Sequence, residues 1–200
     1  GLSCILVEKD TPGFSVGKIE DKMGIHGSET AELIFDDCRV PKENLIGKEG
    51  QGFKIAMTAL DGARIGVAAQ ALGIAQRALD ESVKYMKERI QFGKPIAALQ
   101  GLQWYISDMA TKIECAKWMV FRAAWLKVDG QPYTKEAAIA KLNASETANF
   151  VVNKALQIHG GYGYMKDYPL ERMYRDAKIT EIYEGTSEVH KLVISRSVLK

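Results

Sequence analysis

From residue 51 onward, apolar positions recur at intervals of three and four. Phe53, Ala56, Met57, Leu60, Val67, Ala68, Leu72, Ala75, Leu79, Val83 and Met86 follow this spacing, and no proline interrupts it before Pro95. The pattern predicts one helix from Gln51 to about Arg89. At 1.5 Å per residue it would be roughly 58 Å long and would have to share its apolar stripe with other helices. The turn Phe92-Gly93-Lys94-Pro95 ends it. A second helix carries Leu99, Leu102, Ile106, Met109, Ile113, Ala116, Val120 and Ala123, and stops at Asp129-Gly130-Gln131-Pro132. A third, with Thr134 as its N-cap, carries Ala138, Leu142, Ala148, Val151, Val152 and Ala155 to the glycine-rich break at Gly160. Two shorter helices, about Leu170 to Lys178 and Thr186 to Val198, complete the series.

The first 48 residues read differently. Strand-like runs at Leu2 to Val7, Lys18 to Lys22 and Ala31 to Arg39 are separated by turn formers. About 50 residues of β-structure leave open edges and little core. This segment is therefore expected to be the end of a β-domain whose remainder lies upstream. The expected architecture is mainly α: residues 1–48 as a β-domain remnant, and residues 49–200 as a four-helix up-and-down bundle.

Composition narrows the class of function by exclusion. The 27 Lys and Arg against 25 Asp and Glu give a formal charge of +2, too even a balance to predict a nucleic acid or an anionic membrane as partner. No apolar run approaches the ~20 residues of a membrane span. Cys4, Cys38 and Cys115, odd in number and without paired spacing, are expected to be packed thiols in a reducing compartment. Trp104, Trp118 and Trp125 share roughly one helix face and are expected in a core or interface. His26, His159 and His190 show no metal-ligand spacing with one another or with the cysteines, and no serine sits in a nucleophile elbow.

Four segments remain as candidate chemistry. In Tyr183-Glu184-Gly185-Thr186-Ser187-Glu188, a carboxylate stands between an apolar wall and helix-capping hydroxyls, a setting suited to a general base. Gln157-Ile158-His159-Gly160-Gly161-Tyr162-Gly163 places three glycines in four positions after a helix. One would serve as a C-cap; three leave either ligand or partner contact open. Arg89, at the end of the longest helix, is by default a complement to the helix dipole. Asp61 and Arg64 lie three apart on one helix, a pairing worth only about 0.2–0.5 kcal/mol when exposed.

Together, in this order and at these separations, the segments resemble the acyl-CoA dehydrogenases, most nearly the short-chain, butyryl-CoA type. The resemblance also takes in Met23-Gly24-Ile25, Arg39-Val40-Pro41 and Gly50-Gln51-Gly52-Phe53, and covers essentially the whole chain. It implies that Glu184 is the base taking the α-proton of an acyl-CoA thioester while the β-hydrogen leaves as hydride to FAD. The product would be a trans-2-enoyl-CoA, with electrons passing to an electron-transferring flavoprotein. It implies substrate contact for Asp61, Gly62, Ala63, Arg64 and Gly185. Flavin contact is implied for Arg89, Phe92, Gln100, Gln157, Ile158, His159, Gly160, Gly161, Thr186, Ser187 and Glu188, some of it across a dimer-of-dimers homotetramer. The compartment implied is the bacterial cytoplasm or the mitochondrial matrix. Relatives with their base on the long helix carry it at the position of Ala63, so Glu184 has no rival there. A glutaryl- or medium-chain type, an enoyl-CoA reductase, and a catalytically silent assembly module for the isolated piece stand as alternatives.

Overall fold

A computed structural model describes all 200 residues. The chain divides into two compact units, Gly1–Leu60 and Asp61–Lys200. In the first, β1 (Cys4–Ile5) pairs antiparallel with β4 (Leu45–Ile46), and β2 (Phe14–Ile19) with β3 (Ala31–Phe35). The strands form two separate two-stranded ladders. Val16, Ile19, Leu33, Ile34 and Phe35 are exposed on the β2–β3 ladder, because two strands alone bury neither face. Cys4 and Cys38 are half-buried and Cys115 is exposed, so the expectation of packed thiols holds only in part.

The helices follow the periodicity closely. They are α1 (Gly52–Glu88), α2 (Gln100–Val128), α3 (Thr134–His159), α4 (Leu170–Lys178) and α5 (Ser187–Val198). Between α1 and α2 a hairpin of β5 (Ile90–Gln91) and β6 (Lys94–Pro95) turns through Phe92 and Gly93, at φ 51° and 75°. Two left-handed residues in a two-residue loop match the twist of the flanking strands. Helix α3 is central and packs against α2, α4 and α5. A 3₁₀ turn, Ile179–Glu181, follows α4 and delivers the chain toward α5.

Three expectations shift. Thr134 is the first residue of α3 and Tyr133 the cap; the Thr134 hydroxyl instead donates to Asp61 Oδ2 at 2.6 Å. Trp104, Trp118 and Trp125 lie on the exposed face of α2, outside the core of this chain. The buried stripe of the Asp61–Glu88 stretch is centred on Ala68, Ala71, Ala75 and Ala78, while Leu72 and Leu79 stand at its margin. Alanine dominates because small side chains let helix backbones approach closely: Ala116 and Ala123 on α2, and Ala137, Ala140, Ala144, Ala148 and Ala155 on α3, are likewise fully buried.

A core built on alanine has no room to grow. Ala148→Leu is expected to lower unfolding free energy by about 1–3 kcal/mol, seen as a lower denaturant midpoint with an unchanged slope. An unchanged midpoint would contradict close packing there.

Candidate active site

The loop after the 3₁₀ turn places Glu184 and Gly185 at φ 56° and 97°. The left-handed region suits a glycine, whereas for a glutamate it costs on the order of 1 kcal/mol or more and persists only where surroundings impose it. The surroundings are explicit. Tyr183 donates its hydroxyl to Gln70 of α1. Arg64 Nε donates to the Glu184 carbonyl at 3.4 Å, and Lys141 Nζ to the Gly185 carbonyl at 2.7 Å. Arg64 is itself fixed by Asp61, Nη1 to Oδ1 at 2.6 Å, and Asp61 in turn by Thr134. Two buried cations thus grip consecutive carbonyls of one turn.

The Glu184 side chain has no such restraint. Its Oε2 is buried and has no hydrogen-bond partner. No acceptor within the chain takes the Glu184 N–H either. A carboxylate oxygen and a backbone donor on the same residue therefore both lack a partner within the chain.

Electrostatics around the turn are set by burial. The Lys141 ammonium is pulled down to about 8 by burial and then by the nearby Arg64 charge, against the pull of Glu181, Glu184 and Glu188. His190 of α5 is fully buried beside Gly185; a Cβ on Gly185 would stand 3.4 Å from its Nε2. Burial first, then the charges of Lys141 and Arg64, bring its imidazole down to about 4. A polar contact with the Gly185 backbone opposes this shift but falls short of a well-directed bond, so neither ring nitrogen is hydrogen-bonded. Glu188, exposed on the first turn of α5, is held low by its own backbone N–H and by the Thr186 hydroxyl.

A second group of predicted residues lines a cleft of about 560 Å³ that includes Tyr85, Arg89, Phe92, His159, Gly160 and Tyr162. The His159 ring stacks on Tyr85 with centroids 4.1 Å apart, and its Nδ1 faces the Ala155 carbonyl at 2.8 Å. That bond places the proton on Nδ1 and leaves Nε2 a buried acceptor without a partner. Arg89 lies over the Tyr162 ring at 5.2 Å and forms no ion pair. Of the three glycines, Gly160 caps α3 at φ 59° and Gly163 lies where a Cβ would meet the Leu156 carbonyl at 2.5 Å. Gly161 has neither reason, and the space around it is open. A free guanidinium, an orphaned acceptor and bare backbone fit a ligand carrying both anionic and hydrogen-bonding groups, as a flavin dinucleotide does.

The structure joins Asp61, Arg64, Glu184 and Gly185 into one network, and it gathers Arg89, Phe92, Ile158, His159, Gly160 and Gly161 around the cleft. Thr186, Ser187 and Glu188 open α5 beside the Glu184 turn. Gln100 and Gln157 are exposed outside the cleft, Gly62 lies against Lys127, and Ala63 faces away from the buried side of α1. Lys141 escaped notice in the sequence, and His190 was weighed there only as a metal ligand. A signal for Lys141 was present, since it falls at helical spacing within the small-residue stripe of Ala137, Ala144 and Ala148. No group of three or more His, Cys, Asp and Glu side chains is placed to hold a metal, and no helix is long and apolar enough to cross a membrane.

Residues 50–199 match the model of the acyl-CoA dehydrogenase C-terminal domain. The chain belongs to the acyl-CoA dehydrogenase family. Its relatives in the family include an acryloyl-CoA reductase (NADH) of Anaerotignum propionicum, 74% identical over 200 residues, which are all of this chain and 51% of that protein. Butyryl-CoA dehydrogenase of Megasphaera elsdenii superposes with a TM-score of 0.98 at 54% identity, over 99% of this chain and 52% of that one. A structure described as the electron transferring flavoprotein of Acidaminococcus fermentans, in work on flavin-based electron bifurcation, matches with a TM-score of 0.98 at 62% identity, over 99% and 52% of the two chains. The chain thus spans about half the length of the relatives it matches.

The burial of His190 has a pH signature. Its folded value of about 4 lies below the ordinary 6.5, so between these the unfolded chain holds the extra proton. The stability tied to neutral His190 is complete above about pH 6.5 and is lost as pH falls toward 4, a gap on the order of 3 kcal/mol. His190→Gln is expected to lose less stability than the parent across that window in urea unfolding. An equal decline in both would contradict the assignment.

Proposed function

We propose that the protein containing this chain interconverts a short-chain acyl-CoA and its trans-2-enoyl-CoA, with Glu184 as the proton-transferring residue. The observation that carries this reading is the open Glu184 carboxylate oxygen on a left-handed turn gripped by Arg64 and Lys141. The α-hydrogen of a thioester is a weak acid, and its removal needs a base aimed at it, together with a donor for the charge that develops on the carbonyl oxygen. Glu184 supplies both: its carboxylate takes the α-proton, and its unpaired N–H is free to bond the thioester oxygen. The α C–H electron pair then becomes the new C=C bond as the β-hydrogen leaves with its own pair.

FAD, when bound, supplies the acceptor for that hydride. The residues fitted to hold it are Arg89, for an anionic phosphate, His159 Nε2, as acceptor from a hydroxyl or amine, and the bare backbone at Gly160 and Gly161. An electron-transferring flavoprotein would be the electron partner, and the fully assembled protein a dimer of dimers. Residues 1–48 would form the end of a β-domain.

A second reading concerns direction. The 74% identity to an acryloyl-CoA reductase favours an enzyme that works toward the saturated thioester. Microscopic reversibility keeps Glu184 in place: its protonated carboxyl then gives the proton to Cα as hydride reaches Cβ.

In the FAD-loaded enzyme containing this chain, Glu184→Gln is expected to lower turnover of butyryl-CoA or crotonyl-CoA by about 10²–10⁴ while bound flavin, read by absorbance, is unchanged. Turnover at the parent rate would overturn the assignment in either direction.

A further inference from the structure

Lys141 is the only lysine of the chain with no exposed surface, and it pairs with no carboxylate. Its single hydrogen bond goes to the Gly185 carbonyl. An ammonium so placed is costly, because desolvation of the charge is not repaid by a partner of opposite sign within bonding distance. If the packing of α3 were all that mattered, methionine would fill the same volume without that cost.

The position of the cation supplies a reason. It sits on the carbonyl immediately after the one held by Arg64, so the two cations fix the peptide planes on either side of the Gly185 Cα. Without them, a glutamate at φ 56° would relax toward ordinary dihedrals. Because Oε2 has no hydrogen bond to aim it, the direction of the Glu184 carboxylate is inherited from this backbone.

We propose that Lys141 is a positioning residue for the base: its buried ammonium, anchored on the Gly185 carbonyl, locks the left-handed turn that aims Glu184. The proposal rests on the reading of Glu184 as the base. The charged and titratable groups facing this cluster are Asp61 and Arg64 from α1, Glu181 from the turn after α4, Glu184 itself, and Glu188 and His190 from α5. Lys141 joins them from α3.

The test uses the FAD-loaded enzyme containing this chain and follows flavin reduction by butyryl-CoA in rapid mixing. Lys141→Met is expected to slow reduction by about 10- to 100-fold, the scale of a misaligned reacting group, with FAD content and acyl-CoA affinity unchanged. Lys141→Gln returns an N–H to the Gly185 carbonyl, and is expected to recover part of the rate.

A parent rate in Lys141→Met, while Glu184→Gln is inactive, would overturn the proposal and leave the base assignment standing. Normal turnover by Glu184→Gln would remove that assignment itself. A rate equally slow in both lysine variants, with no recovery in Lys141→Gln, or loss of fold or flavin in both, would make Lys141 a packing residue and overturn the proposal.

Discussion

A glutamate held in a left-handed turn needs something to hold it, and here the restraint comes from two helices that are distant in sequence. Arg64 on α1 and Lys141 on α3 donate to consecutive carbonyls, Gln70 on α1 accepts from the Tyr183 hydroxyl, and Asp61 ties Arg64 to Thr134 at the start of α3. The turn is then sealed by α5, whose His190 packs against Gly185. The open carboxylate oxygen, the open N–H and the neutral buried imidazole all follow from keeping these groups together in a space with little water. The chemistry depends on that constraint, because a carboxylate that swung freely would find a solvent partner and lose its aim.

The alanine-rich core is what permits the constraint. Side chains as long as arginine and lysine reach carbonyls across a bundle only when the helices carrying them run close, and the stripes at Ala68 to Ala78 and Ala137 to Ala155 allow such approach. The same stripe of α3 ends at His159 and Gly160, where the backbone turns sharply and leaves the His159 Nε2 acceptor and the Arg89 guanidinium lining the cleft. One helix therefore contributes both to the grip on the Glu184 turn and to the wall proposed to meet the flavin.

Much of this was legible in the chain. The periodicity located the helices to within a residue or so, since apolar spacing and the glycine and proline stops are local signals. The Glu184 segment and the three-glycine turn stood out as local irregularities. What escaped was non-local. Lys141 reads as an ordinary helical lysine until Gly185, 44 residues away, is seen to occupy its ammonium. His190 reads as a lone histidine until α5 turns it inward. Thr134 resembled a cap because the local pattern fits one, whereas Asp61 competes successfully for its hydroxyl. The tryptophans of α2 read as core or interface, as aromatic residues on one face do, and their exposure in this chain removes the core half of that reading.

The central claim is that Glu184 moves the proton at Cα. It is tested most directly by exchange at that carbon, independent of electron transfer. An acyl-CoA analogue blocked at Cβ, so that no hydride can leave, is incubated in D₂O with the FAD-loaded enzyme, and the loss of the α-proton signal is followed by NMR. The account predicts enzyme-dependent exchange that disappears when Glu184 is replaced by glutamine, although the analogue still binds. Exchange that continues undiminished in the variant would place the base elsewhere and contradict the account.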